Sequence, residues 1–502
     1  MRSRPGARAR QPHSSTWPKP RGNPRMPDRP SLDTGYFKPP FSAALRAYLA
    51  EGWGERTPLR ESPAEVASHA ARRRARLSGH FPGERLIVPS GRLKTRVNDC
   101  QYPFRPGSDY VWATGDQEPE AVLVLEPVPG GHDAVLYTRP GSDRGDPDDV
   151  FDGAFGEFYV GPRRSLRQTE IAYGIEVRHV DRFAAEAGGG GRVLRGMDPV
   201  VDAAVPQDDP YLDGELAAVL SELRAVKDPW ELDQLRAAVA ATARGFEDVV
   251  RSMDRAVAAG ERWPEAAFFM RARVEGNDVG YQTIVASGPR ATALHWTRND
   301  GPVVPGTMLL MDAGVETRSL YTADITRTLP VDGRYTAAQR EVYDLVLRAQ
   351  ESSLATVRPG TTVRDFNEAA IRTLAEGLAD WGILPVSAEE SLREDSGLHR
   401  RYTRHGIGHM LGLDVHDCAR ARAPHYLEGR LTEGHVFTCE PGLYFQDDDL
   451  TVPEELRGIG VRIEDDLVVT ADGYELLSHM LPREAAEVET WMAALRARDG
   501  DA

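Results

Sequence analysis

Apolar and polar positions along the chain follow two different rhythms. In the first half, compact apolar runs of strand length occur at residues 85–89, 121–125 and 134–137, separated by segments of helix length. That alternation predicts an α/β region over residues 41–215. Residues 139–149 are dense in Gly, Asp, Pro and Arg and read as a surface loop, and Gly188 to Gly191 mark another break. The rhythm changes at a helix start: Asp228 caps, Pro229 takes the first helical position and Glu231 completes the reciprocal box. Leu232, Leu235, Val239 and Phe246 follow at helical spacing. Two more helices are expected near 336–356, capped by Thr336, and near 362–380, with Pro359-Gly360 between them. Strands are expected at 308–312, 321–326, 436–440 and 460–464. The simplest assembly over residues 216–490 is a curved antiparallel sheet backed by helices.

The ends carry less pattern. Residues 1–40 are rich in Arg and Pro, with no acid before Asp28, and read as a disordered tail. A start at the internal Met26, or a basic targeting arm, are the other readings. Residues 491–502 read as a C-terminal tail. The chain of 502 residues is long enough for two domains. A net charge of −16 argues against general nucleic-acid binding, and no run is long enough to span a bilayer. The three cysteines, Cys100, Cys418 and Cys439, have no paired spacing, which fits a reducing compartment and a cytoplasmic protein.

Chemistry is concentrated near the C-terminal end. Asp312-Ala-Gly, Asp324-Ile-Thr-Arg-Thr, His405-Gly-x-Gly-His409, Glu440-Pro-Gly and Arg462-Ile-Glu464-Asp each offer a good ligand. Two Asp, two Glu and one His suit hard or borderline divalent ions. Four carboxylates converging in a water-poor cleft would be driven toward protonation, and two cations would cancel that charge. The strands at 308–312 and 321–326, joined by a short turn, can pair so that Asp312 and Asp324 share a face. Alternation puts Arg462 and Glu464 on one face, so that Arg462 can orient a carboxylate; alone, the pair could equally be a surface ion pair. Cys439 turns away from Glu440 and reads as a buried structural thiol. His295 and His416 could supply further donors, and either could equally be a structural histidine. The five motifs together point to metal-assisted hydrolysis.

These motifs, in this order from His295 to Glu464, resemble the aminopeptidase P (Xaa-Pro aminopeptidase) branch of the pita-bread metallopeptidases. Tyr102-Pro-Phe-Arg-Pro-Gly-Ser-Asp109, Thr114-Gly-x-x-Glu118 and Arg224-Ala-Val-Lys227-Asp-Pro-x-Glu231 are similar to the family's N-terminal half and its junction. The resemblance implies a creatinase-like N-terminal α/β domain followed by a pita-bread catalytic domain. It implies two divalent ions, manganese first and cobalt, zinc or iron as alternatives, with a hydroxide between them. Asp312 would bind one ion, Asp324 and Glu464 would bridge, and His409 and Glu440 would complete the other. Glu440 would move the proton; His295 and His416 would hold the substrate carbonyl. His405 would line the substrate pocket, and Tyr281 and Arg462 would support Asp312. The implied substrate is a peptide with proline second, and the implied assembly a homo-oligomer, dimer or tetramer. A prolidase is the near alternative, and a non-catalytic peptide-binding module on the same fold the remote one. One departure stands out: the separation of Asp312 from Asp324 is one residue longer than the family's usual pattern, with the extra residue assigned to the 316–320 turn.

Overall fold

The helix signals in the sequence are used where they are written. In the computed structural model, which describes residues 42–54, 62–207 and 209–499, the capping box of Asp228 and Glu231 starts the helix Pro229–Arg251. Such a cap contributes about 1 kcal/mol. Leu235, Val239 and Phe246 form its buried stripe, each worth about 1.5–3 kcal/mol in burial, while Leu232 is half-buried. Thr336 and Gln339 form the same kind of box at the start of Ala337–Leu354, and Thr362 and Asp365 at the start of Val363–Asp380. The expected tail at residues 1–40 lies outside the described residues.

The chain divides into two units. The described part of the smaller one, residues 42–54 and 142–159, holds the short helix Ala43–Leu49 and the one-turn helix Pro147–Val150. Phe158 lies tilted against Trp53 and edge-on to Phe151, at ring distances of 5.7 and 5.1 Å, and the Arg144 guanidinium lies 4.8 Å over the Trp53 ring.

The larger unit carries both sheet systems. Its N-terminal sheet has the order Glu176–His179, Gly131–Thr138, Val122–Val128, Leu86–Pro89, Arg192–Val193. The inner three strands are antiparallel and the two outer ones pair in parallel. This is the mixed α/β layer that the apolar runs predicted. In the C-terminal half, Ile284–Ser287, Met308–Ala313 and Ile325–Pro330 form one antiparallel sheet; Val436–Cys439, Asp465–Val469 and Tyr474–Leu476 form another. Gly442–Tyr444 pairs with Gly460–Arg462 beside them, and the Glu464 amide donates to the Thr326 carbonyl at 3.1 Å, tying the pieces edge to edge. The helices Ala337–Leu354 and Val363–Asp380 back this layer, sharing a buried cluster that includes Phe366, Phe437 and Ile463. Gln350 reaches from the first helix to the Asp465 carboxylate at 2.8 Å.

Two expectations need correction. The strand expected at 321–326 begins only at Ile325. The amides before it are drawn elsewhere: Thr322 donates to the Gly412 carbonyl at 3.0 Å and Asp324 to Asp466 Oδ2 at 3.1 Å. At the far end, the helix Ala485–Asp499 runs through most of the expected tail, with Met492 and Leu495 buried in the core. No helix among the described residues is long and apolar enough to cross a membrane.

Candidate metal centre

Strand register brings the two aspartates together. Asp312 lies opposite Thr326, and Asp324 stands two residues before Thr326, just ahead of the strand, close enough for one tyrosine to touch both carboxylates. The turn between them, 317–320, closes with Leu320 at φ 70, and the pairing from Met308 to Ala313 is unbroken. The ladder therefore runs in register with this turn length. A Cβ on Gly314 would collide with the Ala323 carbonyl oxygen, so the close approach here requires glycine. The Tyr281 hydroxyl lies 2.6 Å from Asp312 Oδ1 and also contacts Asp324 Oδ1, linking the two carboxylates through one proton.

The other three groups arrive on irregular backbone beside the second sheet. The segment from His405 to His409 runs along Val436–Cys439: Thr438 N donates to His409 O at 2.9 Å and Glu440 N to Ile407 O at 2.7 Å. A Cβ on Gly408 would meet the Thr438 carbonyl, whereas at Gly406 it would make only ordinary contacts, 3.8 Å from Asn367 Oδ1 and 3.9 Å from the Gly408 carbonyl. Glu440 follows the strand directly, and Cys439 points to the opposite side, buried against the Gln350 carbonyl at 3.9 Å. Glu464 sits in the gap between Gly460–Arg462 and Asp465–Val469.

Asp324, His409 and Glu464 converge, each offering a ligand atom within 4.8 Å of the other two. Asp312 and Glu440 flank this trio. Asp312 is tied in through Tyr281, and Glu440 Oε1 lies 3.4 Å from His409 Nε2, which is itself 3.3 Å from Asp324 Oδ2. Arg462 donates Nη2 to Asp312 Oδ2 at 2.5 Å. All five predicted ligands line one cavity of about 530 Å³, together with Tyr281, His295, His405, His416 and Arg462. The imidazole of His416 meets that of His409 edge to face, with ring centroids 4.4 Å apart.

Burial sets the electrostatics. It drives the carboxyls of Asp324 and Glu464 upward, and neighbouring carboxylates add to the effect. Glu440 is pushed up to about 7, again chiefly by burial, with His409 and Arg462 opposing. For His409, burial favours the neutral ring, but the hydrogen bond to Asp324 and the charge of Glu440 overcome it and raise the imidazole to about 9. His405 goes the other way, to about 4, because burial and then Arg462 disfavour its cation. His416 is lowered by burial and by His409.

Sequence reasoning left several supporting groups without a role. Thr326 donates to Glu464 Oε2 at 2.7 Å and accepts from Arg462 Nε at 3.0 Å. The Tyr444 hydroxyl meets His405 Nε2 at 2.7 Å and Arg462 Nη1 at 3.2 Å. Asp466 anchors the Asp324 amide. Thr326 and Tyr444 lie within two and four residues of predicted ligands, so proximity was their only signal.

Comparison with known proteins covers both halves. Residues 233–471 match "Metallopeptidase family M24", and residues 70–188 match "Aminopeptidase P, N-terminal domain". Xaa-Pro aminopeptidase 2 of Streptomyces coelicolor is 57% identical over 460 residues, spanning 91% of this chain and 97% of the relative. Among solved structures, Pseudomonas aeruginosa aminopeptidase PepP superposes with a TM-score of 0.75 at 29% identity, covering 86% of this chain and 99% of that one. Zinc-substituted Escherichia coli aminopeptidase P in complex with product gives 0.74 at 31% identity, covering 86% and 99%. With the two halves matched separately and a relative identical at more than half of the aligned positions, the chain belongs to the Xaa-Pro aminopeptidase family of M24 metallopeptidases.

Proposed function

We propose that the protein is a metal-dependent aminopeptidase that releases the N-terminal residue from peptides with proline second, using two divalent ions. The observation that carries this reading is the convergence of Asp324, His409 and Glu464 within 4.8 Å, flanked by Asp312 and Glu440. The donor set fits hard or borderline divalent cations: four carboxylates and one imidazole, buried so deeply that the acids favour protons when no cation is near. Asp324 and Glu464 would be shared between the two ions, with Asp312 on one side and His409 and Glu440 on the other. Manganese is our first choice, with cobalt, zinc or iron as alternatives. Bound ions would supply compensating charge, a Lewis acid for the scissile carbonyl and acidification of water.

The chain's own groups supply the rest. Glu440, on the cavity wall with Oε1 3.4 Å from His409 Nε2, can take a proton from the attacking water and pass it to the leaving proline nitrogen. His295 and His416, on the cavity wall, would hold the substrate carbonyl and the charge that develops on it. His405 is kept neutral by burial and by Arg462, and would line the pocket as a hydrogen-bonding surface. Tyr281 and Arg462 fix Asp312 from behind. The relatives' name supports the preference for proline, whose ring and tertiary amide need a shaped site. We place the enzyme in the cytoplasm as a homo-oligomer, to be checked by fractionation and light scattering.

The test is a matrix of manganese, cobalt and zinc against an Xaa-Pro tripeptide, an Xaa-Pro dipeptide and Met-Ala-Ser. The tripeptide should be cleaved after its first residue. Turnover of the dipeptide alone would make the protein a prolidase, and no proline substrate turned over with any metal would overturn the reading.

A further inference from the structure

Arg105 and Ser108 of the N-terminal half, with Arg224 and Lys227 at the junction, grip the loop that carries His416. That loop leaves His409 and folds back on itself: Asp417 N donates to Met410 O at 2.8 Å, and Gly412 N to Asp414 O at 3.1 Å. His416 lies between two aspartates of the loop, and each is held. Asp417 is buried and accepts Arg224 Nη2 at 2.5 Å and Lys227 Nζ at 3.1 Å. Asp414 Oδ1 accepts the Ser108 hydroxyl at 2.5 Å and lies 3.4 Å from Arg105 Nη1. Arg105 also donates to the Leu413 carbonyl, and its Nε to Glu316 Oε2 at 2.6 Å, in the hairpin between Asp312 and Asp324. Arg224 completes the set through Asp109 at 2.8 Å.

The pairs of Arg224 and Lys227 with Asp417 are buried, where desolvation offsets much of the attraction, and the Arg105–Asp414 contact is solvent-exposed, so none of them adds much net stability. What they do supply is a fixed geometry. His416 is tethered on both sides, by Asp414 and by Asp417, while its ring meets that of His409 edge to face at 4.4 Å. A displacement of about 1 Å at a group that holds a reacting carbonyl can cost on the order of a hundredfold in rate.

We propose that Arg105 is a positioning residue for the reaction: through Asp414 and the Leu413 carbonyl it sets the aim of His416, so the N-terminal half supplies part of the active-site geometry. The proposal rests on the role given above to His416. Arg105 touches neither the cavity nor the five acidic and imidazole ligands, so its effect passes through the His416 loop or through the Asp312–Asp324 hairpin it holds at Glu316, and unchanged bound metal together with the cycle against His416 separates the two.

The experiment is a double-mutant cycle on the full chain, loaded with manganese and assayed on an Xaa-Pro tripeptide. Arg105→Gln should lower kcat by about 10–100-fold with KM changed less than about twofold, bound metal unchanged, and partial recovery in Arg105→Lys. In a His416→Ala background the same Arg105→Gln change should cost less than about twofold, because the group it positions is gone. Equal losses in the two backgrounds, or no loss in the first, overturn the proposal. Should Arg105→Gln fold poorly, Ser108→Ala reads the same linkage, because its hydroxyl accepts from Arg105 Nη1 at 3.2 Å and donates to Asp414 Oδ1 at 2.5 Å, with the same two outcomes. A wild-type rate in His416→Ala by itself refutes the role of His416, whereas equal losses in both backgrounds refute only the linkage.

Discussion

Replacing Arg462 by lysine tests how the acidic cluster is held. Arg462 is 3% exposed, and its guanidinium makes three contacts at once. Nη2 meets Asp312 Oδ2 at 2.5 Å, Nε meets the Thr326 hydroxyl at 3.0 Å and Nη1 meets the Tyr444 hydroxyl at 3.2 Å. An ammonium keeps the charge, but it is a single point on a flexible stem and cannot span all three. If it stays with Asp312, two hydrogen bonds are lost, at roughly 0.5–1.5 kcal/mol each. Neither hydroxyl is stranded: Thr326 still donates to Glu464 at 2.7 Å, and Tyr444 still meets His405 Nε2 at 2.7 Å. The fold should therefore lose only about 1–3 kcal/mol. The larger effect should fall on the site, because Asp312 and Glu464 lose the rigid fork that fixes their relative positions. We expect Arg462→Lys to reduce metal affinity or kcat/KM by about 10–100-fold. The assay is kcat/KM on an Xaa-Pro tripeptide across a titration of free manganese, with thermal melting alongside. Wild-type values of both half-saturating manganese and kcat/KM would show that the charge alone suffices and that the fork has no role.

Three further outcomes follow from particular contacts. Glu440→Gln should cut kcat by at least about a hundredfold while a competitive Xaa-Pro peptide analogue binds nearly as before; unchanged turnover would remove Glu440 from proton transfer. Gly314→Ala drives a methyl into the Ala323 carbonyl, so the Asp312–Asp324 hairpin must open; we expect about 1–3 kcal/mol lost in stability and weaker metal binding, and a melting temperature and metal content like the wild type would contradict the packing. His435 is buried and held at about 4, so it stays neutral in the fold while the unfolded chain titrates near 6.5. Because the unfolded state then binds more protons, its contribution is full above pH 6.5 and falls as pH drops toward 4, by about 2–3 kcal/mol. Wild type and His435→Gln compared by denaturant unfolding at pH 7 and 4.5 should differ in slope by that amount, and parallel curves would assign the acid sensitivity to other groups.

The sequence by itself determined a great deal. Capping boxes at Asp228, Thr336 and Thr362 are local, since one side chain and an amide three residues away decide them, and each helix begins where its box stands. The apolar runs at 85–89, 121–125 and 134–137 each mark a strand, but the last two are joined by a tight turn into an antiparallel hairpin and not by a segment of helix, a pairing the runs themselves do not encode. The identities of the metal-site candidates were legible because each sits in its own short motif. Which backbone each rides on was not: Asp324, Glu440 and Glu464 all lie just outside regular strands, where their amides bond to distant segments. The supports of the site, Thr326, Tyr444, Asp466 and the Arg105–Arg224 clamp on the His416 loop, were decided only by tertiary structure. Arg105 and Asp414 are 309 positions apart in the chain, and a hydrogen bond across that separation leaves no periodic trace in the sequence.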